Sequence, residues 1–162
     1  MEDKLKKYQG LIQLTQTTED VVKLDEEIDL LLQSIYHVDK DMFEDTLEKM
    51  VRIRMAMEIR KLVKQAAISK KEEIKILLSN VYRTICALPI LQLTLAFEPS
   101  DAVIGSISRW ARQNLADGIL LDLSLDRSVL GGAIIVYHGK FYDLTLKKKL
   151  QEVFDKGDLK LI

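Results

Sequence analysis

The stretch "DRSVLGGAIIVYHGKFYD", residues 126–143, decides how the second half of this chain is read. Gly131 and Gly132 separate a polar approach from the β-branched Ile134, Ile135 and Val136. Glycine tolerates positive φ and lets another backbone come close. Between strands it marks a bulge or a sharp bend. Ala133 to Tyr137 therefore predicts a strand. His138-Gly-Lys140 predicts a hairpin turn, with Gly139 in it, leading into Phe141 and Tyr142. Asp143 stands just before a lysine-rich segment, where a carboxylate can cap free N–H groups or favour the positive end of a helix. Leu146, Leu150 and Phe154, four residues apart, predict a closing helix over 144–154.

Upstream, Leu91, Leu93 and Leu95 alternate with Gln92, Thr94 and Ala96, the period of a half-buried strand. Glu98-Pro-Ser100 turns the chain, and Ser100 is placed to cap a helix running to Leu115. Ile104, Ile107, Ala111 and Leu115 form its inner stripe. Asp117-Gly118 ends it, and Ile119 to Leu125 predicts a second strand. Residues 89–162 thus read as a small β-α-β-β-α domain with a mixed sheet.

Residues 1–88 read as helices, with no glycine between Leu11 and Ser100 and Pro89 at the end. A short amphipathic segment spans 4–14. A helix starts at Thr17 or Thr18 and carries Leu24, Ile28, Leu31 and Ile35. His37 to Asp41 reads as a break, and Asp41 with Glu44 as a capping pair. A helix follows in which Phe43, Leu47, Met50 and Met57 share one stripe. Ser69 with Glu72 forms a second capping box, ahead of Ile74, Leu77, Leu78, Val81 and Ile85. The fold class is α+β, in two parts: 1–88 helical, as a bundle or as elongated helices, and 89–162. The stripe through Leu47, Met50 and Met57 is expected to be completed by a partner helix.

Composition limits the function. Apolar residues make up 48% and charged residues 30% of the 162, which is globular rather than disordered. Split after Ile90, the first part carries 15 basic and 16 acidic residues and the rest 9 and 9. Neither has the basic excess of a nucleic-acid binder, and none is expected as a partner. Cys86 is the single cysteine, so an intramolecular disulfide and a cysteine-based zinc site are both ruled out. A reducing compartment fits. The start has no apolar leader, and no apolar run approaches the roughly 20 residues that span a bilayer.

No nucleotide loop, zinc-protease helix or nucleophile elbow is present, and no cofactor, metal or catalytic residue is expected. His138, Asp143 and Ser128 could be drawn as a triad, but a histidine in a predicted turn is ordinarily a solvated one. His37 reads as a polar residue at a helix break. Lys147-Lys-Lys149 reads as a solvated face. Met42, Met50, Met55 and Met57 read as core or as an adaptable packing face. Tyr137, Phe141 and Tyr142 cluster at one hairpin, as base-stacking aromatics do on small sheets, which keeps a nucleic-acid-binding module or a helical adaptor as alternatives.

The order Asp126, Ser128, Val129, Leu130, Gly131, Gly132, strand, Gly139, Lys140, Asp143, Thr145, basic helix, Leu150 resembles the C-terminal segment of the ATP synthase delta subunit family, called OSCP in mitochondria. That family runs roughly Asp-Pro-Ser-Leu-Leu-Gly-Gly, strand, Gly-Asp-Lys, Asp-x-Ser, helix. The resemblance covers about the last 65 residues. Arg127 stands where the family has proline, and Thr145 where it has serine. Residues 1–88 read as too short, with too few breaks, for the family's N-terminal six-helix bundle. The resemblance implies a non-catalytic stator subunit in the peripheral stalk of a rotary ATP synthase. Its partners would be the membrane-anchored stalk b-type helices and the alpha subunits of the catalytic head. Its place would be the cytoplasmic side of an energy-transducing membrane, or an organellar matrix or stroma, with only indirect membrane association.

Overall fold

The computed structural model describes residues 2–36, 42–68 and 70–155. The chain divides into two compact units, Met1–Leu88 and Pro89–Ile162. The first is helical and the second is built on a four-stranded mixed sheet, so the fold class is α+β.

Among the described residues the first unit holds six helices: α1 (Glu2–Lys7), α2 (Gln9–Leu14), α3 (Thr18–Ile35), α4 (Met42–Lys49), α5 (Ile53–Gln65) and α6 (Lys71–Cys86). This corrects the reading of too few breaks. The segment over 4–14 is interrupted at Tyr8, and the helix expected after residue 41 is interrupted at residues 50–52. The breaks expected at 37–41 and the cap expected from Ser69 lie outside the described residues. The residue at the head of α6 is Lys70, which makes no side-chain capping bond.

Thr17 caps α3. Its hydroxyl oxygen accepts from the Asp20 N–H at 3.1 Å, and Asp20 Oδ2 accepts from the Thr17 and Gln16 N–H groups at 3.2 and 3.0 Å. Leu24, Ile28, Leu31 and Ile35 are buried on the inner stripe of α3, which packs on α4 and α6, while α2 packs on α5. Leu47, Met55, Ile59, Leu62, Leu78, Val81 and Ile85 complete this core.

The break between α4 and α5 is held by Arg52. Glu27 is only 6% exposed, and its Oε1 accepts from the Arg52 backbone N–H at 2.9 Å and from Nε at 2.8 Å. Glu27 Oε2 accepts from Nη2 at 3.0 Å, and Asp20 Oδ1 from Nη1 at 3.4 Å. Asp20 and Glu27 stand seven residues apart, two turns along one face of α3, so a single guanidinium straps that face to the start of α5. The backbone bond takes up an N–H that a continuous helix would have given to residue 48, and the helical register restarts there.

The second unit runs β1 (Ile90–Leu95), α7 (Asp101–Asn114), β2 (Leu120–Leu125), a 3₁₀ turn (Arg127–Val129), β3 (Ala133–Tyr137), β4 (Lys140–Asp143) and α8 (Leu146–Asp155). The sheet order is β2-β1-β3-β4. β1 and β2 are parallel, joined through α7, while β3 is antiparallel to β1 and β4 to β3. The register puts Leu91, Leu93, Leu121, Leu123 and Ile135 on one face. There they form a core with Ala111, Ile119, Ile104, Ile107 and Tyr137. Ala111 is fully buried, whereas Leu115, placed by the sequence on the same stripe, is exposed where α7 ends.

The strap at Arg52 yields the first prediction. Removing one partner of a buried ion pair costs about 3–5 kcal/mol. Arg52 is 36% exposed, which lowers that to about 1–3 kcal/mol. Arg52→Met should cost more than Glu27→Gln, because it strands a buried carboxylate while the second change keeps an acceptor for the backbone N–H. Urea midpoints of the two variants test this. Equal midpoints with the parent would mean that the pair does not hold the break.

Candidate functional site

Four residues of the 126–145 motif meet around one cavity of about 280 Å³, lined by Asp126, Ser128, Asp143 and Thr145 together with Lys147, Lys148 and the floor residues Val129 and Ile134. They come together because two turns converge at one end of the sheet. Asp126 leaves β2 with its N–H donated to the Leu95 carbonyl at 2.8 Å. Its Oδ1 then accepts from the Ser128 N–H at 2.8 Å and shapes the 3₁₀ turn. Asp143 ends β4, and its Oδ1 accepts from the Thr145 N–H at 3.0 Å. Thr145 is buried, and its Oγ1 accepts from the Lys148 N–H at 3.1 Å. The cap of α8 is thus Thr145, two residues beyond the expected Asp143. The helix begins at Leu146, and Asp143 orients the cap instead of supplying it.

Gly131 and Gly132 hold these turns in register. The Gly131 carbonyl accepts from the Leu146 N–H at 2.8 Å, and the Leu144 N–H donates to the Ala133 carbonyl at 2.9 Å. Gly132 has φ +81°, and a β-carbon there would collide with the Leu144 carbonyl oxygen and stand 3.1 Å from Thr145 Cα. Close backbone approach and positive φ therefore both demand glycine. Gly139 differs. With His138 at φ +48° and Gly139 at φ +73°, the two form the tight β3–β4 turn, and nothing lies within 4 Å of a β-carbon at 139. Leu130 sits beside the pair, exposed and itself at φ +62°.

The electrostatics follow from these bonds. The Ser128 hydroxyl, then its backbone N–H, hold the Asp126 carboxyl below the usual aspartate range, with Lys147 adding to this. The Thr145 hydroxyl, then its N–H, do the same for Asp143, with Lys148 and Lys147 adding. Both carboxylates spend one oxygen on ordering a turn. His138 is in the hairpin turn, one residue beyond the Tyr137–Lys140 pair, which is itself three ladder steps or roughly 10 Å from the Ile134–Asp143 pair, so it does not join Asp143 and Ser128 in a triad. Among the described residues no three His, Cys, Asp or Glu side chains are grouped to hold a metal ion.

The aromatic cluster divides. Tyr142 pairs with Ile135 and shares the face of Tyr137, while Phe141 pairs with Val136 on the opposite face. They do not form one stacking platform. The stripe through Leu47, Met50 and Met57 divides as well. Leu47 is fully buried in α4, while Met50 follows that helix and Met57 lies on α5, 59% and 62% exposed. The restart at Arg52 rotates the later residues off the earlier face. Lys147 and Lys148, read from the sequence as a solvated face, line the cavity. Their spacing from Asp126 across two turns gave no local signal.

Two predictions follow from this geometry. Gly132→Val should cost about 2–5 kcal/mol through backbone strain and overpacking. Gly139→Ala should cost about 1 kcal/mol, since only its φ objects. Thermal melts of the two variants should fall in that order. Asp126 and Asp143 have folded pKa values below their ordinary 3.8. Their stabilisation is therefore fully present above that pH and is lost as pH falls through the lower folded values. In an acid titration followed by circular dichroism, Asp126→Asn with Asp143→Asn should flatten the stability loss below pH 3.8. An unchanged acid limb would exclude these carboxylates as its source.

No helix among the described residues is long and apolar enough to cross a membrane. No known family model matches the chain, and no curated protein matches it.

Proposed function

We propose that this chain is a non-catalytic connector, a delta-like stator subunit of a rotary ATP synthase, working by binding rather than by chemistry. One observation carries the reading: Asp126, Ser128, Asp143 and Thr145 converge around the Gly131–Gly132 junction, so the residues that carry the resemblance act as one structural unit. Six helices, among the described residues, ahead of a small mixed-sheet unit also support it, since a six-helix bundle is what the resemblance implies for the first part. The cavity is an ordered turn junction whose carboxylates are engaged with backbone N–H groups, which suits a shaped surface better than a reaction centre.

A stator must resist the torque that would drag the catalytic head around. It does so through contact area and rigidity, and the membrane-anchored stalk helices and the head's alpha subunits are the proposed partners. The place of action is the face of an energy-transducing membrane that carries the catalytic head, with indirect attachment through the stalk.

The test is purification of the tagged chain from its own cell, with identification of what accompanies it. Stalk and alpha subunits of an ATP synthase should co-purify, and the pure chain should not hydrolyse ATP. Recovery of nucleic acid in a salt-sensitive complex, with no synthase subunits, would replace this reading with that of a nucleic-acid-binding module.

A further inference from the structure

Met55 and Met57 stand two residues apart on α5, about 200° around the helix from each other. Met55 is therefore in the core, 1% exposed, while Met57 faces out at 62%. Met50, beside the Arg52 break, is 59% exposed. Both open thioethers stand in shallow recesses that hold hydrogen-bond donors. Met57 shares one of about 370 Å³ with Arg60, Lys61, Lys64 and Gln65. Met50 shares one of about 350 Å³ with Gln33, Lys49 and the less exposed Met42. Arg60 and Lys61 have carboxylate partners in Glu44 and Glu58, and Lys49 has one in Asp45. A guanidinium or ammonium keeps further N–H groups beyond one such bond, so these pairs do not close the recesses to another acceptor.

We propose that Met50 and Met57 form a reversible oxidation site, converted to methionine sulfoxide by peroxide and restored by a thiol-dependent sulfoxide reductase. In the forward step a sulfur lone pair attacks one peroxide oxygen and the O–O bond breaks. The thioether and hydrogen peroxide become sulfoxide and water, the sulfur losing two electrons and the peroxide gaining them. In the return step two thiols are oxidised to a disulfide, and the sulfoxide oxygen leaves as water. A thioether is a weak acceptor, whereas the new S=O oxygen accepts readily from the donors of each recess. An open apolar surface, which includes Ile53 at 77% exposure, thereby becomes polar with no change in the core. Met55 stays reduced, because peroxide reaches it only when the unit opens. The site does not depend on what the chain connects.

Cys86 is exposed, and a thiol reacts with peroxide ahead of a thioether, so the experiment uses the full chain carrying Cys86→Ser. The chain is treated with hydrogen peroxide and each methionine is followed by peptide mass mapping. Met50 and Met57 should oxidise at least about tenfold faster than Met55. Retention on a hydrophobic-interaction column should fall in step, while the urea midpoint stays at that of the untreated chain. Methionine sulfoxide reductases for both epimers, with dithiothreitol, should restore mass and retention. Met50→Leu with Met57→Leu should keep the midpoint and abolish the change in retention. Oxidation of Met55 as fast as that of Met57 overturns the proposal, and so do sulfoxides that the reductases leave in place. A fall in the urea midpoint once Met50 and Met57 are oxidised overturns it as well, because the two side chains would then be part of the core. Unchanged retention on oxidation, or a change that persists in the double leucine variant, has the same consequence.

Discussion

The second unit depends on a single close approach, the Leu144 carbonyl lying where a β-carbon at position 132 would be. Because Gly132 has no side chain, the chain leaving β4 can run close beside the start of β3. That close approach goes with the Leu144–Ala133 and Leu146–Gly131 backbone bonds, which place the origin of α8. Asp143 and Thr145 then fall opposite Asp126 and Ser128. A larger residue at 132 would press on the Leu144 carbonyl and the Thr145 backbone and so push the two turns that form the cavity apart.

The first unit is organised by a charged contact of a different kind. Its helices bury ordinary leucine and isoleucine stripes, which do not by themselves say where a helix should stop. Arg52 supplies the stop. It spans Asp20 and Glu27 with its guanidinium and gives its own N–H to Glu27. A buried carboxylate is costly unless it is bonded in this way, so the pair specifies the break more than it adds stability. The result is an α5 whose outer side, from Ile53 to Met57, is open to solvent.

The proposed connector reading asks both units to act as surfaces. The motif carboxylates are engaged in turns, and the aromatic residues of the hairpin are divided between two faces. Each of these is a property of shape and charge, the terms on which protein helices recognise one another.

Local patterns were legible in the amino-acid sequence. The two-residue period of Leu91, Leu93 and Leu95, the start of a helix at Thr17 or Thr18, the β-branched run at 133–137 and the Gly139 turn each follow from a few neighbouring residues. The need for glycine at position 132 was legible too, while Gly131 has ordinary room for a β-carbon. Tertiary structure decided the rest. The Glu27–Arg52 bond joins residues 25 apart, so no window of one helix could reveal that the stripe of Leu47, Met50 and Met57 breaks. The move of the α8 cap from Asp143 to Thr145 turned on where Gly132 lets the backbone pass. The meeting of Asp126 with Lys147 likewise arose from two turns folded against each other, a contact set by the path of the chain and not by the spacing of its residues.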